Sequence, residues 1–98
     1  MERQSTDRPK RDEMVVINDD AEVPSLLHPM TGKIFLTNRV GTRVIQLADG
    51  VLTVDEIVAR IVEQYRGADR EVVSREVAAF LEESTAKGLI LWEEGSRQ

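Results

Sequence analysis

From Asn38 onward the apolar positions recur with the period of a helix. Val40, Val44 and Leu47 stand at i, i+4 and i+7, between Asn38 as an N-cap and Gly50 as a C-terminal stop. This spacing predicts an amphipathic helix of about three turns. Thr53 and Glu56 then form a T-x-x-E capping box, and Val54, Ile57, Val58, Ile61, Val62 and Tyr65 make one apolar stripe that ends before Arg66-Gly67. Asp69 caps a third predicted helix that runs to Lys87 and is stopped by Gly88. Its core stripe is Val73, Val77, Phe80 and Leu81, and Ser84 interrupts it.

Before Asn38 the pattern is that of short strands. Met14-Val15-Val16-Ile17 is largely β-branched and ends at the turn-forming cluster Asn18-Asp19-Asp20. A second strand is expected at Ser25 to His28, after Pro24. Pro29-Met30-Thr31-Gly32 has turn chemistry, and Lys33 to Thr37 returns as the third strand. Leu89 to Trp92 is too short for a helix and reads as a terminal strand or packed tail. Met1 to Glu13 mixes charges with Ser, Thr, Gln and Pro. With no aromatic or β-branched cluster to offset its ordering entropy, it is expected to be a disordered tail. Residues 93–98 are expected to be a flexible C-terminus. The fold class that follows is α+β, a winged helix-turn-helix with a small three-stranded β-sheet followed by a three-helix bundle, spanning 14–92.

Composition narrows the function. A chain of 98 residues allows one core and little room for an enclosed active site. It has 13 basic and 18 acidic residues, and the first 13 positions balance, so the whole net charge of −5 falls on the body. Nucleic acid is a poor partner for such a surface. There is no cysteine, hence no disulfide framework and no thiolate metal site. The N-terminus lacks a signal-peptide core and no segment approaches the ~20 apolar residues of a membrane span, so a cytoplasmic protein is expected.

The order and spacing of several short motifs carry a resemblance. They are T-G-K at Thr31 to Lys33, N-x-x-G at Asn38 to Gly41, Arg43, and L-x-D-G at Leu47 to Gly50. T-V-D-E-I-V follows at Thr53 to Val58, then E-V-A-A-F-L-E-E at Glu76 to Glu83 and K-G-L-I at Lys87 to Ile90. From about Val15 to Trp92 the chain resembles the PqqD family, the small proteins that serve coenzyme PQQ synthesis, with Thr37 standing where that family usually has Leu. The resemblance implies a RiPP recognition element, a peptide chaperone of natural product biosynthesis. Such a domain captures the leader of a ribosomally made precursor peptide and presents it to a modifying enzyme, a radical SAM protein in PQQ synthesis. It further implies that the leader lies as an extra strand beside the third strand, with Phe35 and Thr37 turned inward and Ile34 and Leu36 outward. No cofactor of the chain's own and no metal is implied.

The residues support peptide capture on their own terms. Ile34-Phe35-Leu36 is apolar on both faces, and a short apolar strand at a sheet edge is the kind of surface to which an extended peptide adds. Four or five ladder hydrogen bonds at ~1 kcal/mol net each barely offset the ordering of a flexible peptide. Micromolar capture therefore needs about two buried apolar anchors as well. The expected peptide-binding residues are Lys33, Ile34, Phe35, Leu36 and Thr37 on the strand, and Val72, Arg75, Glu76 and Ala79 flanking the core stripe of the third helix. The bland reading makes Val72 and Ala79 rim residues and Arg75 and Glu76 a solvated pair.

Other candidates read as structural. His28, the single histidine, reads as a surface turn residue without convergent partners for metal or base chemistry. Gly41 reads as permitting close helix packing, Trp92 as sealing the core, and Arg39 and Arg43 as solvated rather than facing an acidic partner. No residues are expected to be catalytic, since neither a phosphate loop nor a nucleophile-base set is present. The alternative function is a winged helix-turn-helix DNA-binding transcriptional regulator. Against it, the third helix carries Arg70, Arg75 and Lys87 against Glu71, Glu76, Glu82 and Glu83, where a phosphate-facing helix should be basic. A pantetheine carrier lacks its D-S-L attachment pattern. Exposed apolar strand edges leave room for a homo-oligomer or an exchanged hairpin.

Overall fold

The computed structural model describes residues 6–20 and 22–93. In chain order the elements are β1 (Arg8–Arg11), β2 (Val16–Asn18), β3 (Ser25–His28), β4 (Lys33–Leu36), α1 (Arg39–Leu47), α2 (Val54–Gln64), α3 (Arg70–Ala86) and β5 (Ile90–Glu93). This is the α+β arrangement expected, a small antiparallel sheet in the order β2-β3-β4 followed by three helices.

The helix ends form where the caps stand. Asn38 Oδ1 accepts from the Gly41 N–H at 2.7 Å. Thr53 and Glu56 close a reciprocal box, with Glu56 N–H to Thr53 Oγ1 at 3.1 Å and Thr53 N–H to Glu56 Oε1 at 2.8 Å. Asp69 Oδ1 accepts from Glu71 and Val72. At the end of α3 the Leu89 N–H bonds the Ser84 carbonyl and the Gly88 N–H the Thr85 carbonyl, with Gly88 at a φ of 77°. That is a Schellman turn, and only a residue without Cβ adopts its left-handed position without strain. The turn throws the chain straight into β5.

The core lies between the inner face of the sheet and the helices. Leu26, Val44, Ile45, Ile57, Ile61, Val77, Leu81, Leu89 and Ile90 are all essentially closed to solvent. Ser84, read as a break in the α3 stripe, is buried with them and keeps the helix face continuous. Trp92 packs on the rim of this core and donates from Nε1 to Thr85 Oγ1 at 2.8 Å.

The N-terminal segment departs from expectation. Residues 1–5 lie outside the described residues, but Arg8–Arg11, expected within a disordered tail, form β1 and pair antiparallel with β5 in a second, two-stranded sheet. The segment is ordered by backbone bonding rather than by an apolar cluster. Arg11 N–H donates to the Ala48 carbonyl, Gly50 N–H to Pro9, Val54 N–H to Asp7 and Asp12 N–H to Leu89, all at 2.8–3.0 Å. Pro9 is buried opposite Trp92. The strand thus ties the α1–α2 loop to the C-terminal strand. The expected flexible C-terminus at 93–98 begins within β5 at Glu93, and 94–98 lie outside the described residues.

His28 also departs from its surface reading. It is 8% exposed, its Nε2 lies 3.3 Å from Asp12 Oδ2, and its Nδ1 accepts from the Met30 N–H at 3.3 Å. Among the described residues no helix is long and apolar enough to cross a membrane, and no cluster of His, Cys, Asp and Glu is placed to hold a metal ion.

Candidate functional site

β4 is the terminal strand of its sheet, paired with β3 on one side and unpaired on the other among the described residues. The Thr37 N–H donates to the Pro24 carbonyl at 2.9 Å, which extends the Ser25–Leu36 register by one pair. Because backbone groups alternate along a strand, Phe35 and Lys33 turn their amides toward β3 as well. The N–H and C=O groups of Ile34 and Leu36 are left facing the open edge.

The side chains alternate in the same way. Ile34 is 64% and Leu36 74% exposed, while Phe35 and Thr37 are half-buried and face the helices. The sequence left the two faces undecided, and the inward set is the one the family resemblance implies. Leu27, opposite Ile34 and half-buried, and Val16, opposite Leu27 and exposed, continue the apolar row across the outer face of the sheet.

Two helices wall the space beyond the β4 edge. Gly41 in the first turn of α1 is where strand and helices meet. A Cβ there would overlap Thr37 Oγ1 and sit 2.8 Å from Cε1 of Phe80 on α3. The small residue is therefore required by close approach, the packing role expected of it. Farther along α3, Lys87 places its Nζ 4.8 Å from the centroid of the Phe35 ring and 3.7 Å from Glu83 Oε2.

Between α1 and α3 lies a hollow of about 430 Å³ lined by Asn38, Val40, Gly41 and Val44 on one side and Glu76, Val77, Ala79, Phe80 and Glu83 on the other. A second hollow of about 320 Å³, mostly apolar, is lined by Val40, Ile61, Tyr65, Ala68, Asp69, Val72, Val73 and Glu76. Val40 and Glu76 border both, so the two form one trough along α3. Beside the β4 edge the trough is lined by apolar side chains with the carboxylates of Asp69, Glu76 and Glu83 among them.

Of the residues singled out in the sequence, the structure brings Glu76, Ala79 and Val72 onto this trough and places Lys33, Ile34, Phe35, Leu36 and Thr37 on or next to the open strand. Arg75 is exposed and lines neither hollow. Sequence reasoning missed Phe80, Glu83 and Lys87, which follow Glu76 at i+4, i+7 and i+11 on the same helical face; that spacing was the available signal. It also missed Val40 and Gly41, which reach the site only through tertiary packing.

The chain is similar to known proteins in sequence and in fold. The profile of the family described as coenzyme PQQ synthesis protein D (PqqD) matches residues 25–90. The solved structure of TbiB1 in complex with the TbiA(beta) leader peptide superposes with a TM-score of 0.69 at 32% identity, covering 83% of this chain and 93% of that one. Lasso peptide synthetase B1 complexed with the leader peptide shares the fold, with a TM-score of 0.70 at 14% identity, over 86% of this chain and 98% of that one. Among curated proteins none matches the chain.

Proposed function

The chain belongs to the PqqD family, and on that premise we propose that it is a RiPP recognition element that binds the leader of a ribosomally synthesised precursor peptide by strand addition. The observation that carries the reading is the open β4 edge set beside the apolar trough on α3. TbiB1, whose chain this one covers almost completely, is a leader-peptide complex. The leader pairs with Ile34 and Leu36 through its backbone and sets apolar side chains into the recesses at Phe80 and Val72. The chain supplies position rather than chemistry. It holds the leader so that the rest of the precursor reaches a separate modifying enzyme, a radical SAM protein or another peptide-modifying enzyme.

The DNA-binding alternative finds no support. The helix that would enter a groove carries four acidic and three basic residues from Arg70 to Lys87, the reverse of a phosphate-facing surface.

The test is an NMR titration of the labelled chain with the leader peptide encoded beside its gene and, in parallel, with duplex DNA. Saturable shifts at Lys33 to Thr37 and at Val72 to Phe80 with peptide, and none with DNA, are expected. A silent peptide together with a salt-sensitive DNA response would replace this reading with the regulator.

A further inference from the structure

The trough along α3 is anionic as well as apolar. Among the described residues Asp69, Glu76 and Glu83 line its two hollows, and no lysine, arginine or histidine does. Two of the three carboxylates are committed. Asp69 Oδ1 accepts from the Glu71 and Val72 amides as the α3 cap, and Glu83 Oε2 lies 3.7 Å from Lys87 Nζ. Glu76 makes no hydrogen bond or ion pair among the described residues.

Its surroundings explain why. The residues three and four positions away on α3, where a helical ion pair would form, are Val72, Val73, Ala79 and Phe80. Across the trough α1 presents Val40. Arg75, the chain neighbour, lines neither hollow. In the free chain Glu76 is exposed, so water satisfies its carboxylate. A guest lying in the trough displaces that water, and an apolar cover would leave a charge desolvated and unpaired. A guest that brings a cation to the same place avoids this cost.

Position along the helix decides where the cation falls. The hollow at Phe80 adjoins Gly41 and Thr37 at the end of β4, and the hollow at Val72 lies two turns of α3 farther on. Glu76 stands between, on the border of both. We infer that Glu76 selects peptides carrying a lysine or arginine between the strand-paired segment and the apolar side chain seated beside Val72. This rests on the strand-addition reading, which supplies the guest, and adds the chemistry by which guests are told apart.

A displayed library of random dodecapeptides is panned against the full chain, against Glu76→Lys, and against Glu63→Lys, which makes the same change of net charge at an exposed position of α2 outside both hollows. The binders considered are those lost in Leu36→Pro, whose open-edge N–H is removed. In the parent these should carry Lys or Arg in preference to Asp or Glu next to their apolar residues. Glu76→Lys should reverse the preference, and Glu63→Lys should leave it in place. Exchanging the selected cation for Gln should weaken binding to the parent about three- to fivefold and change nothing in Glu76→Gln, the size expected of a partly exposed ion pair. A preference unchanged in Glu76→Lys, or shifted equally by Glu63→Lys, overturns the inference and leaves strand addition standing. A library that yields no binder sensitive to Leu36→Pro defeats strand addition, and the selection by Glu76 with it.

Discussion

His28 Nε2 lies 3.3 Å from Asp12 Oδ2, joining the hairpin that carries the open strand to the segment that follows β1. The Met14 N–H, which donates to Asp12 at 2.9 Å, and then the His28 imidazole hold the Asp12 carboxyl below the usual carboxylate range, against the opposing effect of burial. Asp49 is lowered in the same way, chiefly by the Leu52 N–H and then by that of Val51.

A carboxylate lowered by folding adds stability that is fully present above its unfolded value of ~3.9 and is lost as pH falls through the lower folded value. Thermal midpoints from circular dichroism should therefore be flat near neutrality and decline below about pH 4. Asp12→Asn should flatten part of that acid limb. A variant as acid-sensitive as the parent would remove Asp12 from the response.

Backbone direction along β4 gives a sharp pair of variants. The Leu36 N–H faces the open edge, so Leu36→Pro should keep the helical circular dichroism while weakening leader capture by fivefold or more, roughly one net hydrogen bond plus a steric block. Phe35→Pro removes an N–H turned toward β3 and should damage the fold itself. Equal leader affinity in Leu36→Pro would mean that the peptide does not use this edge.

Gly41→Ala should cost about 1–3 kcal/mol of stability in urea unfolding, because the new methyl meets Thr37 and the Phe80 ring. It should also weaken capture by pushing α3 and β4 apart. A neutral substitution would show that this junction is looser than its packing indicates.

Thr85 Oγ1 accepts from Trp92 Nε1 and donates to the Leu81 carbonyl at 2.6 Å. Thr85→Val leaves the indole without this acceptor and should destabilise the chain by about 1–3 kcal/mol. Trp92 is the single tryptophan, so its fluorescence reports the change directly. An unchanged spectrum and midpoint would show that the indole finds another acceptor at no cost.

The elements legible in the sequence were those whose signals are local. Asn38, Thr53 and Asp69 act on backbone donors two or three residues away, and all three caps form as their spacing indicates. The hairpin was legible from its turn residues. β1 was not, because its order comes from hydrogen bonds to Ala48, Gly50, Val54 and Leu89, partners 37 to 77 positions away that leave no period in RPKR. His28 was misread for the same reason, since Asp12 was assigned to the tail. At the site, the strand was visible as an apolar run, whereas the wall formed by Val40, Gly41 and Phe80 depends on how two helices cross. Phe80 was counted with the core, and it is in fact half-buried, with one side on the core and the other on the trough.

A strand of four residues with two of them presenting outward backbone has a limited vocabulary. It offers a guest at most two donors and two acceptors, and a slide of two positions forfeits half of them. Main-chain pairing thus fixes alignment but says little about sequence. On the strand-addition proposal, discrimination among precursors would fall to the recesses on the helices, and changes at Val40, Val72 or Phe80 would alter the client peptide without rebuilding the sheet.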